Sequence, residues 1–210
     1  MPICDTCAKK VEYVKEPVCK KCGKPIPYEE KEFCFDCNAH RWSFEQGKSI
    51  WLHKDPVRFS IYQFKYHNRR IYGEFYVQEM MRLYADKIKE WGIDAIIPVP
   101  LHWKRRYKRG YNQAEILAKH LGKQTGIKVD AKVVKRIQNT KPQKMLSHKE
   151  RKKNMHHAFQ VNSNWKPVKN VLLVDDIYTT GNTIEGVTRA LKEKGVNKVF
   201  FLTISIGQGF

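Results

Sequence analysis

Val171-Leu172-Leu173-Val174-Asp175-Asp176-Ile177-Tyr178-Thr179-Thr180-Gly181-Asn182-Thr183 is the stretch of sequence that decides the fold. Its first four residues are apolar without interruption, which predicts a strand buried on both faces, as in a parallel sheet covered by helices. Two carboxylates follow where this strand ends, at the edge at which open α/β sheets bind their ligands. An apolar spacing typical of a helix begins at Ile184. The sequence therefore predicts an α/β fold with a ligand site at this edge.

The segment between the strand and the helix predicts a phosphate cradle. Its residues are Thr179, Thr180, Gly181, Asn182 and Thr183. Backbone N–H groups at a helix N-terminus attract anions, and a glycine lets the backbone approach a ligand closely. The carboxylates of Asp175 and Asp176 can accept hydrogen bonds from sugar hydroxyls or hold a metal ion. A phosphorylated ribose fits this set of groups, and the alternative is an ordinary strand that ends in acids before a capped helix.

This segment resembles the phosphoribosyl pyrophosphate (PRPP) motif of type I phosphoribosyltransferases, in which an apolar strand, two acidic residues and a Thr/Gly-rich loop follow one another. The resemblance implies a parallel sheet with helices on both faces. It implies that Asp175 and Asp176 bind the ribose hydroxyls and that residues 179–183 bind the 5′-phosphate. It also implies that PRPP binds together with Mg²⁺.

The chain has 210 residues, which suits one α/β domain preceded by a small module. We place the boundary after residue 46, so that residues 1–46 form the module and residues 47–210 form the larger domain. No apolar run approaches the roughly 20 residues of a membrane span, and the first residues lack the basic and apolar regions of a signal peptide. These observations predict a cytoplasmic protein without a membrane span.

Six cysteines form three C-x-x-C pairs that repeat every 15 residues. Thiols stay reduced in the cytoplasm, so such pairs indicate a metal and not disulfides. Two pairs complete the tetrahedral sulfur shell of a structural zinc (Zn²⁺) ribbon, and six thiolates exceed one shell but are two short of a second. Either one pair is idle or His40 and His53 complete a second shell. The predicted metal ligands are Cys4, Cys7, Cys19, Cys22, Cys34 and Cys37.

The segment that follows the module predicts one short strand and two amphipathic helices. The strand is expected at residues 50–52, after a turn at Gly47. Asp55 is the expected N-cap of the first helix, with Pro56 as its first helical residue. Residues 93–100 are expected to be the first strand of the central sheet.

The residues after this strand are expected to form a long basic loop at 101–111. A helix follows, for which Asn112 and Glu115 form a capping box. In phosphoribosyltransferases the residues directly after such a strand contact pyrophosphate. The resemblance therefore assigns this contact to Pro100, Leu101 and His102.

The positive charge of the chain is concentrated in one block. The net charge is +19, and residues 101–157 hold seventeen Lys or Arg against three Asp or Glu. Such a block attracts nucleic acid or a polyphosphate, and aromatic residues interleave with its first cluster as base-stacking residues would. The alternative is a solvated surface. The predicted contacts to single-stranded DNA are Trp103, Lys104, Arg105, Arg106, Tyr107, Lys108, Arg109, Tyr111, Lys144, Lys152 and Lys153.

A second resemblance covers nearly the whole chain. Residues 98–102 (Pro-Val-Pro-Leu-His) and 109–114 (Arg-Gly-Tyr-Asn-Gln-Ala) look like the ComF competence family, whose members join C-x-x-C knuckles to a phosphoribosyltransferase-like domain. The spacing is also similar for Arg136, Thr140, Gln143, Leu146, Arg151, Asn154, Ala158 and Phe159. Members of that family often carry four such cysteine pairs, whereas this chain has three.

The carboxyl-terminal half is expected to supply the remaining strands. Residues 129–134 and 158–161 should be the second and third strands, and residues 199–206 the last. The long connection between the second and third is unusual without structure, and the resemblance identifies it with a catalytic lid that excludes water. A short basic helix at residues 147–155 is the alternative. No hood that stacks on a nucleobase is recognisable, and only Phe210 is left for that role.

Two functions fit these features. The first is a ComF-like protein of natural transformation that binds incoming single-stranded DNA and PRPP, with a DNA-uptake helicase or other competence proteins as partners. The second is an active phosphoribosyltransferase that transfers ribose 5-phosphate from PRPP to a nitrogen nucleophile. The basic block and the missing hood favour the first function. Sequence motifs of ATPases, serine hydrolases and metalloproteases are not found.

Overall fold

The computed structural model describes residues 3–137 and 158–207. The expected lid with its basic helix lies outside these ranges, as do Lys144, Lys152, Lys153 and Phe210. The strands, in chain order, are β1 (Gln46–Leu52), β2 (Ala95–Pro98), β3 (Lys128–Val129), β4 (Val134–Arg136), β5 (Phe159–Val161), β6 (Asn170–Tyr178) and β7 (Lys198–Ile206). The helices are α1 (Asp5–Ala8), α2 (Phe35–Ala39), α3 (Val57–Tyr66), α4 (Tyr72–Trp91), α5 (Trp103–Arg109), α6 (Gln113–Thr125) and α7 (Asn182–Glu193).

The main sheet is parallel and has the strand order β1-β7-β6-β2-β3. The central strand is β6, which pairs with β2 on one side and with β7 on the other. Its residues 171–174 are fully buried, which confirms the prediction of a strand covered on both faces. The strand continues to Tyr178, so Asp175 and Asp176 lie within its carboxyl end and not after it.

Helices cover both faces of this sheet, as the sequence predicted. On one face α7 and the cysteine module pack against side chains that include Leu173 and Phe201. On the opposite face α3, α4 and α6 pack against side chains that include Leu172 and Leu202. The sheet therefore has an apolar core on each side.

The first strand of the sheet in chain order is β1, and not the strand expected at residues 93–100. It forms one edge of the sheet and pairs with β7 from Gln46 onward. Gly47 lies inside this strand and not in a turn. A glycine is needed here because the ring of Phe201 packs directly against the Gly47 backbone, where a Cβ would overlap it.

The helices differ from expectation mainly at their ends. The N-cap of α3 is Pro56, while the Asp55 carboxylate binds the Arg58 guanidinium at 2.6 Å and caps nothing. The expected basic loop contains α5, whose last residue is followed by Gly110 in the left-handed conformation.

Only the Asn112 half of the capping box expected for α6 forms. The Asn112 side chain accepts a hydrogen bond from the Ala114 N–H at 3.1 Å, so Asn112 caps the helix as predicted. Glu115 binds Arg106 of α5, which fixes this helix against α6.

The strand expected at residues 129–134 is two separate strands. In the main sheet β3 keeps only two residues, and after it Asp130 accepts a hydrogen bond from the Trp165 indole at 2.9 Å. After a turn, β4 pairs with β5 in an antiparallel sheet of two strands. Residues 158–161 are therefore not the third strand of the main sheet. The last strand, β7, agrees with the prediction.

Candidate functional site

The carboxylates of Asp175 and Asp176 lie at the carboxyl end of β6, where the sequence placed a sugar site. The Asp176 carboxylate binds the Lys65 ammonium group of α3 at 2.9 Å, and both side chains are mostly buried. The Asp176 N–H donates to the Asp175 carboxylate at 2.8 Å. The two acids therefore have different partners, one a cation and the other the backbone.

The environment of Asp175 favours the neutral acid. The pKa of the Asp175 carboxyl is raised to about 8, mainly because burial removes its contacts with water and also because Asp176 lies next to it. The Asp176 N–H, Lys65 and Arg136 oppose this shift but do not reverse it. The Asp175 carboxyl therefore holds its proton more tightly than an exposed aspartic acid does, and in its protonated form it can both donate to and accept from a sugar hydroxyl.

The phosphate cradle at residues 179–183 connects β6 to α7. Thr179 and Thr180 are exposed, and Gly181 is the N-cap of α7 with φ of 78°. The first N–H groups of an α-helix have no partner within the helix and carry partial positive charge, so they can hold an anion. Gly181 is required twice, because its φ is left-handed and a Cβ there would lie 2.6 Å from the Tyr178 hydroxyl oxygen.

The residues assigned to pyrophosphate follow β2, the strand beside β6. Pro100 and Leu101 are half-buried, and His102 is buried. The His102 side chain accepts a hydrogen bond from the Lys104 N–H at 3.3 Å, and so caps α5. Burial lowers the pKa of His102, and the nearby Arg136 lowers it further. His102 is therefore a neutral capping group and offers no positive charge to an anionic ligand.

His53, one of the two histidines predicted as an alternative zinc ligand, lies at the carboxyl ends of β1 and β7. Its Nδ1 is 2.9 Å from the Ser205 hydroxyl. Burial and then Lys65 lower the pKa of His53, whereas Asp176 opposes them, so this imidazole belongs to the surroundings of the carboxylates. Neither His53 nor Lys65 carries a local sequence signal for this role, because folding alone brings them to Asp176.

Four of the six cysteines form a candidate metal centre. In Cys19, Cys22, Cys34 and Cys37 the sulfur atoms all lie within 4.8 Å of one another. The Sγ atoms of Cys22 and Cys34 are 3.6 Å apart, close to the roughly 3.8 Å between any two sulfur atoms of a tetrahedral zinc site. These residues fit a structural Zn²⁺ ion.

The pair Cys4 and Cys7 lies apart from this centre within the described ranges. Cys4 is exposed and Cys7 half-buried, and both line an apolar cleft against Trp51. The His40 ring stacks on Trp42 with the ring centres 5.1 Å apart. No metal cluster among the described residues joins His40 or His53 to these two thiols.

The cysteine module holds the start of α7. The Ser43 N–H and hydroxyl both donate to the Glu185 carboxylate in the first turn of α7, each at 2.8 Å. A Cβ at Gly181 would lie 3.4 Å from Trp42, so the indole covers the cradle from the module side. The ring of Tyr178, the last residue of β6, stacks on Phe201 at 4.7 Å. The cysteine module therefore contacts the cradle and the first turn of α7 directly through Trp42 and Ser43.

The basic surface predicted at residues 103–111 is largely the exposed face of α5. Trp103 and Tyr107 are one helical turn apart and are 63% and 89% exposed, so both rings are available to a ligand. Tyr111 is only 8% exposed and its hydroxyl donates to the Phe64 carbonyl. We therefore correct its assignment, since Tyr111 anchors the chain and cannot stack on a base in this arrangement.

Comparison with known proteins agrees with this geometry. Residues 74–205 match the family described as Phosphoribosyl transferase domain, and residues 1–38 match the family described as Double zinc ribbon domain. The chain is thus a protein of the phosphoribosyltransferase fold with an amino-terminal zinc ribbon.

The chain belongs to the ComF competence family. It is 32% identical over 207 residues to Competence protein F of Haemophilus influenzae, an alignment that covers 94% of this chain and 82% of the relative. It is 27% identical over 157 residues to Competence protein ComFC of Bacillus subtilis, covering 71% and 59%. It is 33% identical over 108 residues to DNA utilization protein YhgH of Escherichia coli (strain K12), covering 50% of this chain and 46% of that relative.

No helix within residues 3–137 and 158–207 is both long enough and apolar enough to cross a bilayer.

Proposed function

We propose that this chain acts in the cytoplasm as a ComF-like protein of DNA uptake, which binds single-stranded DNA and a PRPP-type ligand. The relatives named as competence and DNA utilization proteins support the process, and the phosphoribosyl transferase domain supports the class of small ligand. A DNA-uptake helicase or another competence protein is the partner that we expect to deliver the strand.

The observation that carries the DNA part is the exposed face of α5. It presents the rings of Trp103 and Tyr107 beside four exposed cations, Lys104, Arg105, Arg106 and Lys108. Single-stranded DNA is bound by this combination, because cations follow the phosphates and aromatic rings stack on bases of any sequence. Two large exposed rings one turn apart on a short basic helix form a surface on which bases can stack.

The PRPP part is supported by the arrangement of β6 and α7. Asp175 and Asp176 face the ribose hydroxyls in this proposal, and the cradle N–H groups receive the 5′-phosphate. Both carboxylates offer the oxygen ligands that Mg²⁺ prefers, and this ion, when bound, neutralises charge on the pyrophosphate group. Lys65 holds Asp176 in place while the site is free, since their 2.9 Å contact is mostly buried.

Calorimetric titration with PRPP, with and without Mg²⁺, tests the small-ligand part. We expect Asp175→Asn and Asp176→Asn to weaken PRPP binding by about tenfold or more, because each replaces a carboxylate oxygen that can accept from a ribose hydroxyl or bind Mg²⁺ by an amide N–H₂ group that can do neither. The exposed Asp86 of α4 supplies the control Asp86→Asn, for which no change is expected. Equal affinity in wild type and both site variants would place the ligand elsewhere.

The same geometry supports a second function, transfer of the phosphoribosyl group to a nitrogen nucleophile. In this reaction the nitrogen lone pair forms a bond to C1 of the ribose and the bond from C1 to the pyrophosphate oxygen breaks. Pyrophosphate leaves with the bonding electrons, and the nitrogen releases its proton to water or a base. The observation in its favour is that the acid pair and the cradle adjoin on one strand-to-helix connection. Release of pyrophosphate in the presence of candidate nucleophiles distinguishes it from simple binding.

A further inference from the structure

A basic cleft opens between α3, the segment that follows it, and α5. Its volume is about 790 Å³, and we call it the α3–α5 cleft. Its lining residues are Lys65, Tyr66, Asn68, Arg70, Arg105, Lys108, Arg109 and Tyr111. Five of these eight are cations and no carboxylate is among them. A concave surface lined by charge of one sign concentrates the electric field, so the cleft favours an anionic ligand.

Two of the guanidinium groups are held in place by aromatic rings. Arg70 lies over the Tyr111 ring at 4.5 Å, and Arg109 lies over the Tyr66 ring at 4.8 Å. A guanidinium that stacks on a ring by its face keeps its N–H edge for a planar or tetrahedral anion. Tyr111, which was expected to stack on a base, is thus the support for a cation.

Among the described residues, the hydrogen bonds of these two guanidinium groups go to neutral acceptors and leave their charge uncompensated. Arg70 donates to the Asn68 side chain at 2.7 Å, and Arg109 donates to Gln113 at 2.7 Å and to the Tyr66 hydroxyl at 3.2 Å. All three acceptors are neutral. The arginines are therefore oriented without being neutralised, as a preformed phosphate site requires.

The cleft adjoins the sugar-binding carboxylates through one residue. Lys65 lines the cleft and binds Asp176 at 2.9 Å. The described residues place cations there, so the molecule beside the sugar site is recognised by its phosphates.

We propose that the α3–α5 cleft is a second phosphate site, separate from the cradle, which holds consecutive backbone phosphates of single-stranded DNA directly beside bound PRPP. This inference rests on the proposed function and deepens it, because it places the strand in the cleft, on residues of α3 and its following segment as well as of α5. The bases of the strand then reach Trp103 and Tyr107, while its backbone approaches Lys65.

A matched pair of triple variants tests the position of the strand. The cleft variant is Arg70→Gln/Arg105→Gln/Lys108→Gln. The control variant, Lys123→Gln/Lys132→Gln/Lys166→Gln, removes the same charge from exposed positions outside the cleft. Fluorescence anisotropy of a labelled oligothymidylate over a salt series gives the dependence of log affinity on log salt. We expect the cleft variant to lower this slope by about 2, at roughly 0.7 for each phosphate that is no longer neutralised, and the control variant to leave the slope unchanged.

Calorimetry with PRPP completes the test. The cleft variant should bind PRPP with wild-type affinity within about twofold, because the cradle and the carboxylates are intact. Because Arg105 and Lys108 also belong to the exposed face of α5, the single variant Arg70→Gln tests the cleft by itself and should lower the slope by about 0.7. An unchanged slope in Arg70→Gln, with the wild type binding the oligonucleotide, would overturn the cleft while leaving the proposed function in place. A loss of PRPP affinity in the cleft variant with unchanged DNA binding would also overturn it, since the cleft would then belong to PRPP. If the wild type bound no oligonucleotide at low salt, the DNA part of the proposed function would fail together with the cleft.

Discussion

The cradle and the α3–α5 cleft both favour anions, but by different means. The cradle depends on backbone N–H groups and on Gly181, so its strength is set by where α7 begins. The cleft depends on long cationic side chains, two of which are oriented by aromatic rings. A site made of backbone is only as well positioned as the helix that carries it, and here the zinc ribbon contacts that helix. A site made of side-chain charge depends on salt and much less on the ribbon.

Of all the changes, removal of the metal should have the most different effects on ligand binding at the cradle and at the cleft. Cys22→Ser deletes one corner of the four-thiol centre, and structural zinc supplies on the order of 10 kcal/mol to small modules of this kind. We expect the ribbon to unfold, the parallel sheet to remain folded, and PRPP affinity to fall because Trp42 and Ser43 no longer hold the cradle. Affinity for the oligonucleotide should change by less than about threefold, since the cleft contains no ribbon residue.

Elemental analysis of the same proteins provides the control. Wild type and Cys7→Ser should each contain about one zinc per chain, and Cys22→Ser close to none. Less than about half a zinc in the wild type would contradict the metal assignment. A drop in zinc content in Cys7→Ser would show that the first cysteine pair binds metal after all.

The pH dependence of stability should identify the acid at the sugar site. Burial raises the pKa of Asp175 from 3.8 to about 8, so the folded state holds a proton that the unfolded state has lost. The stability that this group contributes is fully present below pH 4 and is lost as pH rises toward 8. Asp175→Asn removes this loss, and the variant should be more stable than wild type above pH 8 and differ little at pH 4. Thermal melts across this range measure the difference, and parallel curves for the two proteins would contradict it.

The exposed indole of Trp103 tests whether α5 binds DNA by stacking on its bases. Trp103→Ala should weaken oligonucleotide binding by roughly 1–3 kcal/mol without changing the salt slope, because stacking releases few counterions. Its thermal stability should not change, since Trp103 is 63% exposed. Tyr111→Phe should behave in the opposite way and lose about 1 kcal/mol of stability with its hydrogen bond to the Phe64 carbonyl. A loss of stability in Trp103→Ala would show that this ring is part of the core.

The parts of the fold that were predicted correctly are those whose signal lies in residues close together in the sequence. β6 is recognisable by its uninterrupted apolar run, which is buried on both faces, and α7 by its periodic apolar face. Asn112 caps α6 through the Ala114 N–H, two positions away. The division at residues 129–134 was missed because β3 has only two residues and β4 is stabilised by β5, more than 20 residues further along the chain. Such pairing leaves no local signal.

The candidate site shows the same limit. The acid pair and the cradle are contiguous in sequence and were predicted, whereas Lys65 reaches Asp176 only through the fold. The three cysteine pairs have one motif, and packing alone separates Cys4 and Cys7 from the other four. Likewise Trp103 and Tyr111 stand in the same basic context, and only the hydrogen bond to Phe64 reveals that one of them is an anchor.

The smallest expected effect tests whether the ribbon holds the cradle directly. Ser43→Ala removes the hydroxyl bond to Glu185 but leaves the backbone N–H bond and the contact of Glu185 with Arg189 in place. One such hydrogen bond contributes about 1 kcal/mol, and only part of it should reach the ligand, so PRPP affinity should fall by about twofold to threefold. Ser163→Ala, at an exposed serine away from the cradle, should have no effect.

The readout that distinguishes positioning from mere stability is the ratio of the two affinities. If Ser43→Ala only loosened the protein, PRPP and oligonucleotide binding would be equally unaffected at temperatures well below the melting point. If Ser43 positions the first turn of α7, PRPP affinity falls alone, because Glu185 lies four residues after the N-cap Gly181 and its N–H donates to the Gly181 carbonyl at 2.8 Å. A shift of Glu185 therefore moves the cradle backbone, and the cleft, which does not use this backbone, keeps its affinity for DNA.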